Sequence, residues 1–235
     1  MKKAFVLFLM LIFGLTAIVA VSGVGCGRVV DDTTTTTGGG GTTTTTAASG
    51  TTTTTTSSGT TTTVLLIKYP DESCYAVQTD QTHEHYAIDL LSIGWDGSGS
   101  NEAFLRFDLT TAGIPALTTI KSAILKIYIT FGSTPTTNVY FYNLNNMWSQ
   151  TSLTWLNKPL ITGDAIATKT VNLLSDVDTL ASIDITSLVQ GWVTTSGYAN
   201  FGIGIINPDK ATTNLISIGS GYTTSPHKPV LEIRY

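Results

Sequence analysis

Two tryptophans, Trp148 and Trp155, stand seven positions apart among hydroxyl side chains in MWSQTSLTW. An indole face is a surface on which a sugar ring stacks, so rings set beside Ser and Thr suggest carbohydrate recognition. Large aromatics also dominate the energetics of a small β core, each burying roughly 150–250 Å². Trp is highly buried on average, and Ser149 or Thr151 can cap a turn between the two rings. Trp148 and Trp155, with Trp192, are therefore assigned to packing. Trp95 is set differently. It opens WDGSGSN, a Gly/Ser loop with nothing in the local pattern to bury an indole, and recognition is commonly carried by loops on a rigid scaffold. Trp95, with Asp96 and Asn101 as hydrogen-bonding partners, is the leading candidate for a ligand contact. Tyr198 in TTSGYANF and Tyr222 in GSGYTTSP follow by the same loop argument.

Metal and catalytic chemistry have less to stand on. HEHYAID places His83 and His85 on one face of a strand with Asp89 nearby, the outline of a two-His, one-carboxylate set. DGSGSNE has oxygen ligands at alternate positions, Asp96, Ser98 and Glu102, and is similar to a calcium loop of low acidic density. Structural calcium is thus left open, and no other cofactor is expected. Asp71, Asp108, Asp164, Asp176, Asp178 and Asp184 are scattered, and nothing in the sequence pairs two of them at glycosidase separation. Arg106 and Asp108 share one face of a strand and read as a structural ion pair. A phosphate loop, a nucleophile elbow and a zinc signature are all missing. The expectation is a protein that is not an enzyme. A net charge of −4 with 12% charged residues also excludes the basic footprint of nucleic-acid binding.

The elements that must position these residues begin after a long leader. MKKAFVLFLMLIFGLTAIVAVSGVGCG joins two lysines to an apolar run and small residues before Cys26. Residues 1–25 read as a signal peptide of lipoprotein type, with Cys26 as the acylated residue. An uncleaved transmembrane helix, or plain secretion with Cys26 retained, are the alternatives. A lipidated Cys26 leaves Cys74 as a lone, buried thiol, whereas a free Cys26 allows a bridge between them. Residues 26–63, rich in Thr and Gly, hold almost no side chain large enough to form a core and are expected to be a flexible linker. Its Thr/Gly tract would average about 30 Å end to end and reach at most about 100 Å.

Residues 64–235 suit a single domain. Short β-branched runs at 64–69, 87–94, 103–109, 123–131, 138–144, 201–206, 214–219 and 229–235 read as strands. In AILKIYI, Leu125, Ile127 and Ile129 fall on one face and Ile124, Lys126 and Tyr128 on the other. DITSLVQGWVTT, with Thr186 as N-cap and Leu188, Val189 and Trp192 at helical spacing, reads as one short helix. The predicted fold is all-β, a jelly-roll type β-sandwich with one short helix.

Four stretches in order carry a family resemblance: NEAFLRFDLTTAGIPALTTIKSAILKIYI, VYFYNLNNMWSQTSLTWLNKP, IDITSLVQGWVTTSGYANFGIGI and SPHKPVLEIRY. Together they resemble the DNRLRE domain, grouped with carbohydrate-binding module family 96 and the disaggregatase-related domains. Gln150 stands where an acidic residue is common in that pattern. The resemblance implies a jelly-roll sandwich on surface proteins that binds sugars. The expectation is therefore a non-catalytic carbohydrate-binding module, displayed on a membrane-anchored stalk as a lipoprotein of the cell envelope or surface. Its partner would be an extracellular or envelope polysaccharide. The rival is a structural or adhesive envelope protein acting through protein–protein contacts.

Overall fold

The computed structural model describes residues 33–37, 42–46, 51–56 and 63–235, apart from 173–174, 195–198 and 224–225. The leader and Cys26 lie outside the described residues. In chain order the strands are β1 (Thr33–Thr37), β2 (Thr42–Thr46), β3 (Thr51–Thr56), β4 (Leu65–Lys68), β5 (Glu72–Val77), β6 (His85–Tyr86), β7 (Leu90–Trp95) and β8 (Ser100–Arg106). They continue as β9 (Ser122–Gly132), β10 (Thr136–Asn143), β11 (Ala167–Asn172) and β12 (Thr179–Asp184). Helix α1 (Thr186–Val193) precedes β13 (Ile203–Ile206), β14 (Ile216–Gly219) and β15 (Val230–Arg234).

Antiparallel pairing links these strands into one curled sheet that folds over itself as an all-β sandwich of jelly-roll type. One layer is organised by β9. Its longer edge carries β15 over the first half and β14 over the second, with a register shift between Ser217 and Ile218, while β12 takes the opposite edge. The second layer runs β6, β5, β8, β13, β10, β11. The β7–β8 hairpin joins the layers, pairing Gly94 with Asn101 and Trp95 with Ser100. Side-chain alternation decides which face is inside. Leu125, Ile127 and Ile129 of β9 are fully buried and share one core with Ala103, Leu105, Phe141, Ile203 and Ile205 of the other layer. Each such aliphatic side chain contributes roughly 1.5–3 kcal/mol by leaving water.

Helix α1 closes one end of the sandwich, burying Leu188 and Val189. Thr186 is its first residue and not its cap. The cap position is Ile185, which makes no side-chain bond to the helix. The Thr186 hydroxyl instead donates to Asp184 and accepts from the Ala123 N–H at the start of β9, so it bolts the helix to the sheet. Within the segment expected to be a linker, the threonine runs β1, β2 and β3 pair in an antiparallel meander, and β3 pairs with β4. Threonine is β-branched and favours extended backbone, and strand pairing satisfies main-chain groups without apolar burial.

Candidate functional site

The segment holding Trp148 and Trp155 lies across the outer face of the second layer. There it covers a second core of Cys74, Ala76, Phe104, Leu144 and Leu153. Trp148 is 8% exposed. Its indole N–H donates to the Phe201 carbonyl at 2.7 Å, and its ring lies 5.9 Å from that of Phe104. Trp155 packs against the same cluster with the Lys158 ammonium 4.5 Å from its ring centroid. Lys158 in turn pairs with Glu102 at 2.7 Å. Gln150 accepts the Ser73 N–H and so fixes the segment to β5. Trp192 is half-buried against the main core and donates its N–H to Asn143. All three indoles serve packing.

Trp95 ends β7 at the opposite end of the sandwich from α1. Its position is over-determined by Asn214, whose side-chain oxygen accepts the Trp95 N–H at 2.7 Å and whose own N–H donates to the Trp95 carbonyl at 3.0 Å. The approach requires Gly94. This residue sits at φ +106°, and a Cβ there would lie 2.6 Å from the Asn214 side chain. The ring is half-exposed, with the Lys210 ammonium 5.9 Å from its centroid, within the range of a cation–π contact. Beside it a polar cleft of about 280 Å³ is lined by Asn138, Tyr140, Asn207, Asp209, Thr212 and Asn214.

Asp96 and Asn101 do join Trp95 at this corner, but their polar atoms are turned inward. One Asp96 oxygen accepts the N–H groups of Ser98 and Gly99, both at 2.8 Å. The other accepts from Asn101, which is buried and also donates to the Gly94 carbonyl. The Gly99 N–H, aided by the Ser98 N–H and Asn101, holds the Asp96 carboxyl below its ordinary range against an opposing desolvation that ranks second only to Gly99. These two residues build the hairpin turn that presents Trp95. Nor do Asp96, Ser98 and Glu102 converge on a calcium ion, because Glu102 is committed to Lys158 on the other side of the strand. No group of three or more His, Cys, Asp or Glu converges for a metal among the described residues.

The remaining candidates are dispersed. Tyr222 is exposed but follows β14 at the end that pairs with Leu90, the far end of β7 from Trp95. Tyr198 lies outside the described residues. His83 and His85 share a carboxylate, but it is Asp80 rather than Asp89: His83 Nδ1 bonds to it and His85 Nε2 lies 3.4 Å away. Arg106 pairs with Glu72 at 2.8 Å and not with Asp108. The register of β5 against β8 sets Glu72 directly across from Arg106, whereas Asp108 closes its own turn on Thr110. Cys74 is fully buried under the tryptophan segment. Desolvation, then the charge of Glu72, pushes its thiol far above the usual range. Lys210, Asn214 and Tyr140 were missed as site residues. Only the Pro208–Thr213 turn signal around Lys210 pointed to a loop there.

The model of carbohydrate-binding module family 96 matches residues 77–235, more than half of the chain. No curated protein matches it.

Proposed function

The chain belongs to carbohydrate-binding module family 96, and we propose that it is a non-catalytic glycan-binding module held at the cell surface. The leader would supply a lipid anchor at Cys26 and the Thr/Gly segment a spacer. The observation that favours recognition at the hairpin end is the half-exposed Trp95, locked in place by Asn214 at both its backbone N–H and its carbonyl. A pinned indole beside Lys210 and a polar cleft offers stacking, hydrogen bonds and little ordering cost on binding.

Four of the carboxyls are unsuited to general-acid chemistry, in keeping with a binding role. A glycosidase acid needs a carboxyl whose pKa is raised. Here Asp96, Asp108, Asp176 and Asp184 are each lowered by hydrogen bonds from their own turns.

The test is retention of the full chain, solubilised in detergent, on a panel of immobilised polysaccharides. Saturable retention that falls about tenfold or more in Trp95→Ala, with the melting temperature preserved, supports this reading. Uniform failure to be retained would favour an adhesive or structural envelope protein. For the anchor, intact-mass measurement of the mature N-terminus should show a diacyl or triacyl Cys26. A free Cys26 or a retained Met1 would count against it.

A further inference from the structure

A larger cleft, of about 620 Å³, opens at the other end of the sandwich, where β10 and β12 finish and α1 begins. That volume falls in the range of small-ligand pockets, roughly 300–1,000 Å³. Its walls come from three separated stretches of chain: Asn143 and Asn145 at the end of β10 and just beyond it, Asp164 in the following loop, and Asp184 with Ser187 at the β12–α1 corner. Ile166 and Leu188 form apolar floor between them.

Several polar atoms lining this cleft are left unused by the protein itself. Asp164 and the Ser187 hydroxyl have no hydrogen-bond or ion-pair partner among the described residues. The Asn143 oxygen takes the Trp192 N–H and leaves its amide N–H₂ free. The Asn145 amide donates to Thr162 and leaves its oxygen free. One Asp184 oxygen holds Thr186, and the second has no protein donor. In the smaller cleft Asn207 bonds Thr137 and Asp209 and Asn214 is spent on Trp95 and Asp209, while the buried Thr134 hydroxyl has no partner among the described residues.

We infer that the helix-end cleft is a second glycan subsite, specific for a neutral oligosaccharide. Free acceptors and donors spaced around an apolar floor match a sugar ring, whose rim carries hydroxyls and whose face carries C–H groups. Asp164 and Asp184 accept from hydroxyl groups, while the Asn143 amide and Ser187 donate to ring or hydroxyl oxygens. No Lys or Arg lines the cleft, so a uronate or a sulfated sugar would meet two carboxylates without a counter-charge. Such a like-charge juxtaposition rejects the anionic ligand.

The inference rests on the reading of the chain as a glycan-binding module, and the test separates the two. The full chain in detergent is titrated calorimetrically with gluco-, xylo- and manno-hexaose, and with hexagalacturonate as the anionic comparison. At least one neutral hexaose is expected to bind. Asp164→Ala and Asn145→Ala should each weaken that binding by about tenfold or more. Both residues are exposed and free of core contacts, so the melting temperature should hold. Hexagalacturonate should show no binding that depends on Asp164. Unchanged affinity in both variants, with loss only in Trp95→Ala, would overturn the second subsite and leave the module reading intact. Binding of none of the four sugars would overturn both.

Discussion

Replacing Trp148 by Ala separates the two roles that an indole among hydroxyls can play. The ring is 8% exposed, so nearly all of it leaves water on folding. It rests on Phe104 and Leu153 at the outer face of the second layer. Removing a buried Trp ring costs about 3–5 kcal/mol through lost transfer energy and an incompletely refilled cavity. The Phe201 carbonyl also loses the N–H that reaches it at 2.7 Å, adding about 1 kcal/mol. The total, about 4–6 kcal/mol, is a large share of the roughly 5–15 kcal/mol that holds a domain folded. For a domain of this size about 2–4 °C accompanies each kcal/mol, so the melting temperature should fall by about 10–20 °C.

The assay is thermal and urea unfolding, with glycan retention measured in parallel at a temperature where the variant is folded. Trp148→Phe guards against outright misfolding. It keeps most of the apolar surface, loses the N–H, and should cost about 1–3 kcal/mol. Retention per folded molecule should match wild type in both. A Trp148→Ala protein that melts within about 3 °C of wild type yet loses its glycan would refute the packing assignment.

Gly202 sits at φ +96°, and a Cβ there would lie 2.4 Å from the Leu105 carbonyl oxygen; Gly202→Ala should therefore cost about 2 kcal/mol or more, read as a lowered urea midpoint. Cys74 should resist a thiol reagent at pH 8 in the native chain and react fully once unfolded, since burial holds it as the inert thiol; rapid native labelling would contradict the covered β5 face. Acid should destabilise the fold through Asp96, Asp108, Asp176 and Asp184, whose carboxyls are lowered chiefly by hydrogen bonds from Gly99, Thr110, Asn172 and Thr186 respectively. A lowered folded pKa means their contribution is complete above the unfolded carboxylate value of about 3.9 and is lost as pH falls through the folded one. Melting temperature should thus be level from about pH 7 to 5 and decline below about 4; a level profile to pH 2 would remove these turns from the account.

Strands with large alternating side chains were legible, and those without them were not. AILKIYI declares both faces, and β9 carries that alternation across the middle of its layer. TLASID and ATKTVN hide theirs, because the inward positions are held by little more than Ala181, Ile183 and Val171 among Thr and Ser. ESCYAV was missed for the same reason, and the error spread. With β5 unseen, Glu72 was not available as a partner, and Arg106 was matched to the nearest acid along its own strand. Register is a long-range property, and local periodicity carries it only where side chains are large enough to mark a face.

Site residues pose the harder form of that problem, because a polar side chain is informative only when its partners are known. Asp96 and Asn101 looked free in a Gly/Ser loop, yet the hairpin consumes both. Asp164 was read only as one of several scattered acids and Ser187 as part of a helix, yet tertiary structure gathers them with Asn145 around one cavity and leaves bonding capacity on each. The difference lies in hydrogen-bond accounting and not in residue type. Turn chemistry satisfies an Asx side chain within two or three residues, and a sequence can reveal that by the glycines at Gly97 and Gly99. It cannot reveal an acceptor left over after three distant segments meet. If the cleft variants lose the neutral glycan while their melting holds, leftover bonding capacity is the better guide to a ligand site in this sandwich than an exposed indole.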